Sequence, residues 1–187
     1  MRFVVVLDAC VLYPAPLRDL LLRLATTGLF AAKWTDEIHD EWVRNLVRSR
    51  PEIEEQITRT RVLMDKAVPD CLVTNYEPLI DGLELPDQDD RHVLAAAIRS
   101  SAQIIVTFNL KDFPEDVLAT FGIEPMHPDV FIEHQLDLHR PLVISAVKQH
   151  RESLKNPPKT AEEYLETLSA QGLAVTADIL GEYSALI

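Results

Sequence analysis

Basic residues are scarce in this chain: 18 lysines and arginines stand against 30 aspartates and glutamates, for a formal net charge of −12. A field of that sign repels polyanions and excludes nucleic-acid binding driven by bulk charge, so any nucleic-acid function must rest on a local basic strip or on metal ions. Cysteine is scarcer still, two in 187 residues. Cys10 and Cys71 form no C-x-x-C pair and are too few for a disulfide scaffold, which suits a reducing compartment. Only five glycines accompany 47% hydrophobic residues, which argues for a compact, helix-rich domain and against a disordered chain. No run approaches the roughly eighteen apolar residues of a membrane helix. The N-terminal stretch offers a single arginine before a short apolar run broken by Asp8, so no targeting segment is expected. The chain reads as a soluble cytoplasmic protein with one dominant core and an appendage, without a membrane partner.

Against these absences stands an alternation of apolar runs and amphipathic stretches. Residues 3–7, "FVVVL", read as a fully buried strand, and "LRDLLLRLATTG" repeats leucine at helical spacing until Gly28 stops it. A short strand near 29–33 and a helix over about 36–48 follow. Pro51 opens another helix with Ile53, Ile57, Leu63 and Met64 on its apolar side. "CLVTNY" is strand-like, "RHVLAAAIRSSA" is a helix, and "QIIVTFN" is a second buried strand. A short strand at "IEPM" and a helix near 128–137 complete the pattern, which predicts a parallel sheet covered on both faces. From about residue 140 only helices are expected, including a capping box at Thr160 and Glu163. The predicted division is 1–140 for the α/β domain and 141–187 for a helical extension. Leu165, Leu168, Leu173, Ile179 and Leu180 give that extension apolar surface for self-packing, a homodimer or a partner peptide.

One carboxylate falls at the end of the most buried predicted strand. An unpaired buried charge costs several kcal/mol, so Asp8 either has a neutralising partner or lies where the strand opens onto a crevice. Other oxygen donors occur where strands end or helices begin: Glu37 and Glu41, then Asp87, Asp89 and Asp90, then Thr107, Asn109 and Asp112 in "TFNLKDF". Convergence of such segments at one end of a parallel sheet would assemble an all-oxygen site suited to Mg²⁺ or Mn²⁺ rather than zinc. Such a centre activates water and polarises a phosphoryl oxygen, the chemistry of phosphodiester hydrolysis. The plainer alternatives are that Asp87, Asp89 or Asp90 caps a helix and that Glu37 and Glu41 lie on an exposed helix face. His92 reads as a helix-surface residue, and the alanines of "LAAAI" as an aid to close helix packing. Arg44 and Arg48, three and seven residues after Glu41, share its face and could hold phosphates, unless they pair with Glu37, Glu41 or Glu52.

"LDACVLYP", "DDRHVLAAAIRSSAQIIVTFNLKDFP" and the acidic helix between them resemble the PIN-domain family, in particular its VapC-type toxins, over roughly residues 1–137. The resemblance implies a three-layer α/β/α fold and a Mg²⁺- or Mn²⁺-dependent endoribonuclease that is silenced by a small antitoxin protein. It carries the family's carboxylates onto Asp8, onto Glu41 in preference to Glu37, and onto Asp90 in preference to Asp89. The fourth position falls on Asn109, where many members have aspartate. An amide supplies a carbonyl oxygen but no charge, so a second metal would bind weakly unless Asp112 restores the charge. Asp8, Asp90 and Asp112 are then the metal ligands, Glu41 and Asn109 further catalytic candidates, and Thr107, Arg44 and Arg48 substrate-facing groups.

Other classes are weighed against this one. A PIN-like fold without chemistry would be an RNA-binding or interaction module, with Asn109 as its mark. A phospho-acceptor receiver wants an acidic pair after the first strand and a late lysine. A D-x-D phosphatase is disfavoured by Cys10 at the second aspartate position. Flap-type DNA cleavage would need DNA-gripping elements that the short chain has little room for.

Overall fold

A computed structural model describes residues 3–187; Met1 and Arg2, including the single arginine of the N-terminal stretch, lie outside the described residues. Strands β1 (Phe3–Leu7), β2 (Phe30–Lys33), β3 (Ile104–Val106) and β4 (Glu124–Met126) form one parallel sheet in the order β2-β1-β3-β4. β1 registers with β2 from Phe3 opposite Phe30 to Val6 opposite Lys33, and with β3 from Val5 opposite Ile104 to Leu7 opposite Val106. Val5, Val6, Leu7, Ile105 and Val106 are wholly buried, as central strands covered on both faces require.

The strand order places the site. From β1 the chain moves outward to β2, then crosses back to β3 on the other side of β1 and continues outward to β4. Connections therefore leave the β1–β3 seam in opposite directions and open a crevice beyond the carboxyl ends of these two strands, where open α/β sheets bind ligands. Asp8 directly follows β1, and Thr107 and Asn109 follow β3.

Helices α1 (Ala9–Leu12), α2 (Ala15–Thr26), α3 (Asp36–Ser49), α4 (Glu54–Ala67), α5 (Glu77–Ile80), α6 (Arg91–Arg99) and α7 (Glu115–Ala119) surround the sheet in a three-layer α/β/α arrangement. Their boundaries follow local chemistry. Pro16 sits in the first turn of α2, and Gly28 beyond its end adopts φ +83°, a conformation glycine reaches without a Cβ clash. The Thr35 hydroxyl caps α3 by accepting from the Ile38 N–H at 3.0 Å. α6 packs on β1 and β3, with Ala95, Ala96 and Ala97 wholly buried, so their small side chains allow the close approach.

Three elements differ from the sequence expectation. "CLVTNY" contributes a single bridge between Trp34 and Leu72 rather than a strand; Asn75, at φ +59°, turns the chain away before a ladder can extend. Leu63 faces solvent while Ile57 and Met64 are buried, because α4 presents a narrow stripe to the core. The helix expected near 128–137 continues as α8 (Pro128–Ser153), bent at His139 (φ −157°, ψ 73°). The bend accommodates Pro141, which lacks an N–H and would clash with the preceding turn of a straight helix.

Beyond α8 come α9 (Ala161–Ala170) and α10 (Ala174–Gly181). The capping box forms: the Thr160 hydroxyl accepts from Glu163 N–H at 3.2 Å, and the Glu163 carboxylate accepts from Thr160 N–H at 2.9 Å. α10 packs on α8 and α9, and α9 also touches α2. Leu168, Leu173 and Leu180 are wholly buried, each a contribution of about 1.5–3 kcal/mol.

Candidate active site

Asp8 ends β1 and caps α1, and it is 3% exposed. Among the described residues no ion pair neutralises it. Instead its Oδ1 accepts from the Ala9 N–H at 2.7 Å, and its Oδ2 accepts from the Thr107 hydroxyl at 2.7 Å and the Cys10 thiol at 3.2 Å. The Thr107 hydroxyl in turn accepts from the Asn109 N–H at 3.0 Å, and the Cys10 sulfur accepts from the Phe108 N–H at 3.3 Å. The ends of β1 and β3 are thus tied together through one carboxylate. Burial raises the Asp8 pKa, the Thr107 and Cys10 hydrogen bonds pull it back, and the Glu41 charge pushes it up again. Burial and the Asp8 charge also raise the Cys10 thiol's pKa, so Cys10 is a neutral donor rather than a nucleophile.

The second wall is α3, held by its buried face. The Trp42 indole N–H donates to His39 Nδ1 at 3.0 Å, which leaves the proton on Nε2 to face Asp65 at 2.9 Å. Asp65 also accepts from the Trp34 indole at 2.8 Å. Burial lowers the His39 pKa, in keeping with this neutral tautomer. Arg18 lies 4.7 Å from the Trp42 ring centroid and donates to the Leu12 and Tyr13 carbonyls at 2.7 and 3.3 Å. With that face fixed, Glu37, Glu41, Arg44 and Asn45 point into a cleft of about 730 Å³.

The opposite wall comes from the turn before α6 and the turn after β3. Asp87 accepts from the Asp89 N–H at 2.9 Å, the capping role weighed for it, whereas Asp90 makes no capping bond. Burial first, and then the charges of Asp8, Asp87, Asp112 and Glu41, push the Asp90 pKa up to about 7. Carboxylates from four separate segments therefore act on one another across a single cleft.

Of the residues singled out in the sequence, Glu41, Asp90, Asn109, Asp112 and Arg44 line the cleft together with Glu37 and Asp89. Asp8 sits at its back. Thr107, expected to face substrate, is wholly buried and instead orients Asp8. Arg48 lies outside the lining, because the end of α3 carries it past the cleft mouth. Among the described residues no ion pair joins Arg44 or Arg48 to a carboxylate. His92, expected on the helix surface, is 5% exposed, with Nε2 3.7 Å from Glu41 and Nδ1 3.8 Å from Glu37. The first turn of α6 faces α3, so the residue after Arg91 turns inward. Burial opposes its protonation, but the two glutamates outweigh it and raise its pKa. His92, Arg18 and Asp65 were not legible as site supports. Only Arg18 left a trace, as a charge embedded in a leucine stripe.

The donor set is all oxygen and rich in negative charge, which fits a hard divalent cation. Among the described residues no three His, Cys, Asp or Glu side chains stand close enough to form a ready-made cage.

A family model described as PIN domain matches residues 4–111, and one described as VapC50 C-terminal domain matches residues 128–182. The chain belongs to the PIN-domain family, and its C-terminal part matches the model of the VapC50 C-terminal domain. It is similar to a protein of Mycobacterium tuberculosis (strain ATCC 25618 / H37Rv) named "Putative ribonuclease VapC50", with 43% identity over 82 residues, 44% of this chain and 48% of that one. The match thus spans about half the length of that relative. No solved structure matches the chain. No helix among the described residues is long and apolar enough to cross a membrane.

Proposed function

We propose that the protein is a Mg²⁺- or Mn²⁺-dependent endoribonuclease, the cytoplasmic toxin of a toxin–antitoxin pair, cutting RNA and held silent by a small antitoxin protein. The observation that carries this reading is the coupling of Asp90 to Asp8, Asp87, Asp112 and Glu41 across one cleft at the sheet's switch point. A carboxylate whose proton affinity is raised by its neighbours is relieved by a cation among them. Asp90 and Asp112, with Asp8 behind them, are the residues that would hold it. A bound divalent ion would polarise a phosphoryl oxygen and lower the pKa of water.

This chain's own groups do the rest. The Thr107, Cys10 and Ala9 donors fix Asp8 in one orientation, so its position is set before substrate arrives. Asp90, whose pKa burial and the surrounding carboxylates push up to about 7, would give up its proton as a cation arrives and meet it as a carboxylate. Glu41 is steadied by His92, and Arg44 brings a positive charge to a phosphate entering an otherwise acidic cleft. Single-stranded or looped RNA suits such a cleft better than a duplex, whose bases are hidden in a deep groove.

Purified protein is expected to cleave single-stranded RNA with Mg²⁺ or Mn²⁺ and to stop when EDTA is added. Asp8→Asn should abolish both cleavage and growth inhibition, and calorimetry should find metal binding that Asp90→Ala removes. RNA left intact under every metal condition would end this reading. One observation favours a second, a PIN-fold RNA-binding module without catalysis: Asn109 lines the cleft with an uncharged amide. RNA binding without metal uptake would select it.

A further inference from the structure

Beside the acidic cleft lies a second hollow of about 430 Å³, lined by Ala9, Cys10, Tyr13, Glu41, Asn45 and Asn109. Its size is in the range of small-molecule sites, about 300–1,000 Å³. Glu41, Asn45 and Asn109 line both spaces, so the two are continuous. Their chemistry differs sharply. The cleft is walled by carboxylates from α3, the turn before α6 and the turn after β3, whereas the hollow has one carboxylate and otherwise neutral groups.

Three features of the hollow point to a ligand that is flat, uncharged and rich in hydrogen-bonding edges. The Tyr13 ring is 36% exposed. It is held between α1 and α3, with its hydroxyl 3.4 Å from Ser49 Oγ and its backbone carbonyl bonded to Arg18. An aromatic face fixed in this way offers a stacking surface at little entropic cost. Asn45 and Asn109 are exposed, and among the described residues neither side-chain amide has a protein hydrogen-bond partner. Each presents one acceptor and two donors, the set that reads a base edge. A polyanion entering the cleft meets repulsion except near Arg44 and any bound cation, so its neutral parts belong on the neutral side.

We propose that this hollow is a nucleobase subsite, in which one base of single-stranded RNA stacks on Tyr13 and is read along its edge by the Asn45 and Asn109 amides. Its place next to the scissile phosphate rests on the ribonuclease reading; its affinity for a base does not. Asn109 then acts as a substrate-reading amide, and the absence of a carboxylate there keeps a second charge, beside that of Glu41, out of the base site.

The test uses the full chain labelled with ¹⁵N and the four uncharged ribonucleosides as probes, without metal. At least one nucleoside should shift the Asn45 and Asn109 side-chain NH₂ resonances. Tyr13→Ala should weaken that binding by at least about five-fold, the lower end of what one base stack contributes. Tyr13→Phe, which keeps the ring and shows whether the fold tolerates change there, should bind like the parent, and Asn45→Ala should bind more weakly. If no nucleoside moves the two amides, or if Tyr13→Ala binds as the parent does with its backbone spectrum otherwise unchanged, the subsite is overturned. RNA cleavage by the parent with Mg²⁺ or Mn²⁺ is scored separately. Nucleoside binding without cleavage sinks the nuclease and leaves the subsite standing, and cleavage without nucleoside binding does the reverse.

Discussion

The cleft and the C-terminal helices both bury polar groups, yet they treat them in opposite ways. In the C-terminal part the buried groups that tie the helices together meet partners of complementary chemistry, while Gln135 Oε1, His150 Nε2 and Arg151 Nε have none among the described residues. The Asp129 carboxylate accepts the Val175 and Thr176 N–H groups at the start of α10, at 2.9 and 2.8 Å. His150 Nδ1 and the Tyr164 hydroxyl lie 2.8 Å apart, and the capping box closes α9. In the cleft Asp8 has its donors, but Asp90, Asp112 and Glu41 face one another with too little positive charge between them. A surface optimised only for stability would not keep that repulsion; a site that receives a cation gains from it. The C-terminal part is completed largely by folding; on the function proposed above, the cleft is completed by a cation.

The largest expected break in this comparison is Asp8→Asn. Loss of transition-state stabilisation of several kcal/mol implies a fall in RNA cleavage of at least about 100-fold, measured with Mg²⁺. Without metal, the melting temperature of Asp90→Asn should equal or exceed the parent's near pH 8, because a repelled charge has been removed. Asp129→Ala should behave in the contrary manner: cleavage per folded molecule is kept, while about 1–3 kcal/mol of stability is lost in urea unfolding, because two N–H groups of α10 are left without acceptors.

Acidity separates the regions further. The folded-state pKa of Asp90, about 7, lies above its ordinary value of 3.8. The folded protein then holds the extra proton between about pH 4 and 7, so this group costs stability progressively as pH rises through that window. His150 runs the other way. Burial, with Arg23 adding to it, lowers its pKa from 6.5 to about 4; the unfolded chain binds the proton first, and stability is lost as pH falls from about 6.5 to 4. Comparing melting curves of the parent with Asp90→Asn and with His150→Gln across pH 4–8 isolates each contribution. A difference from Asp90→Asn that did not grow as pH rises would show that the cleft carboxylates are uncoupled. The smallest effect is expected from Thr160→Ala, about 1 kcal/mol from the loss of one cap, with no change in cleavage.

The elements that carry the site were legible because their signals are local. "FVVVL" before Asp8 and "IIV" before Thr107 name two buried parallel strands, and the Thr160–Glu163 spacing names a cap. The misplacements of His92 and Thr107 involve neighbours distant in sequence. His92 looked like a surface residue because nothing near it reveals that α3 lies across from α6. Thr107 looked substrate-facing because the chain does not disclose that its hydroxyl is consumed by a carboxylate ninety-nine residues earlier. Arg48 shared a helical face with Glu41, but the cleft ends before the helix does. The long α8 hid behind Pro141, which usually ends a helix and here only bends one.

Sequence alone determined the residue types at the strand ends, the alternation that makes a parallel sheet, and the shortage of positive charge, since these depend on side-chain chemistry and short-range periodicity. Tertiary structure alone decided which carboxylates face each other, which arginine reaches the cleft and which histidine is buried between glutamates. The reason is physical: proton affinity and charge repulsion depend on distance and desolvation, and only the strand order that brings β1 beside β3 sets either.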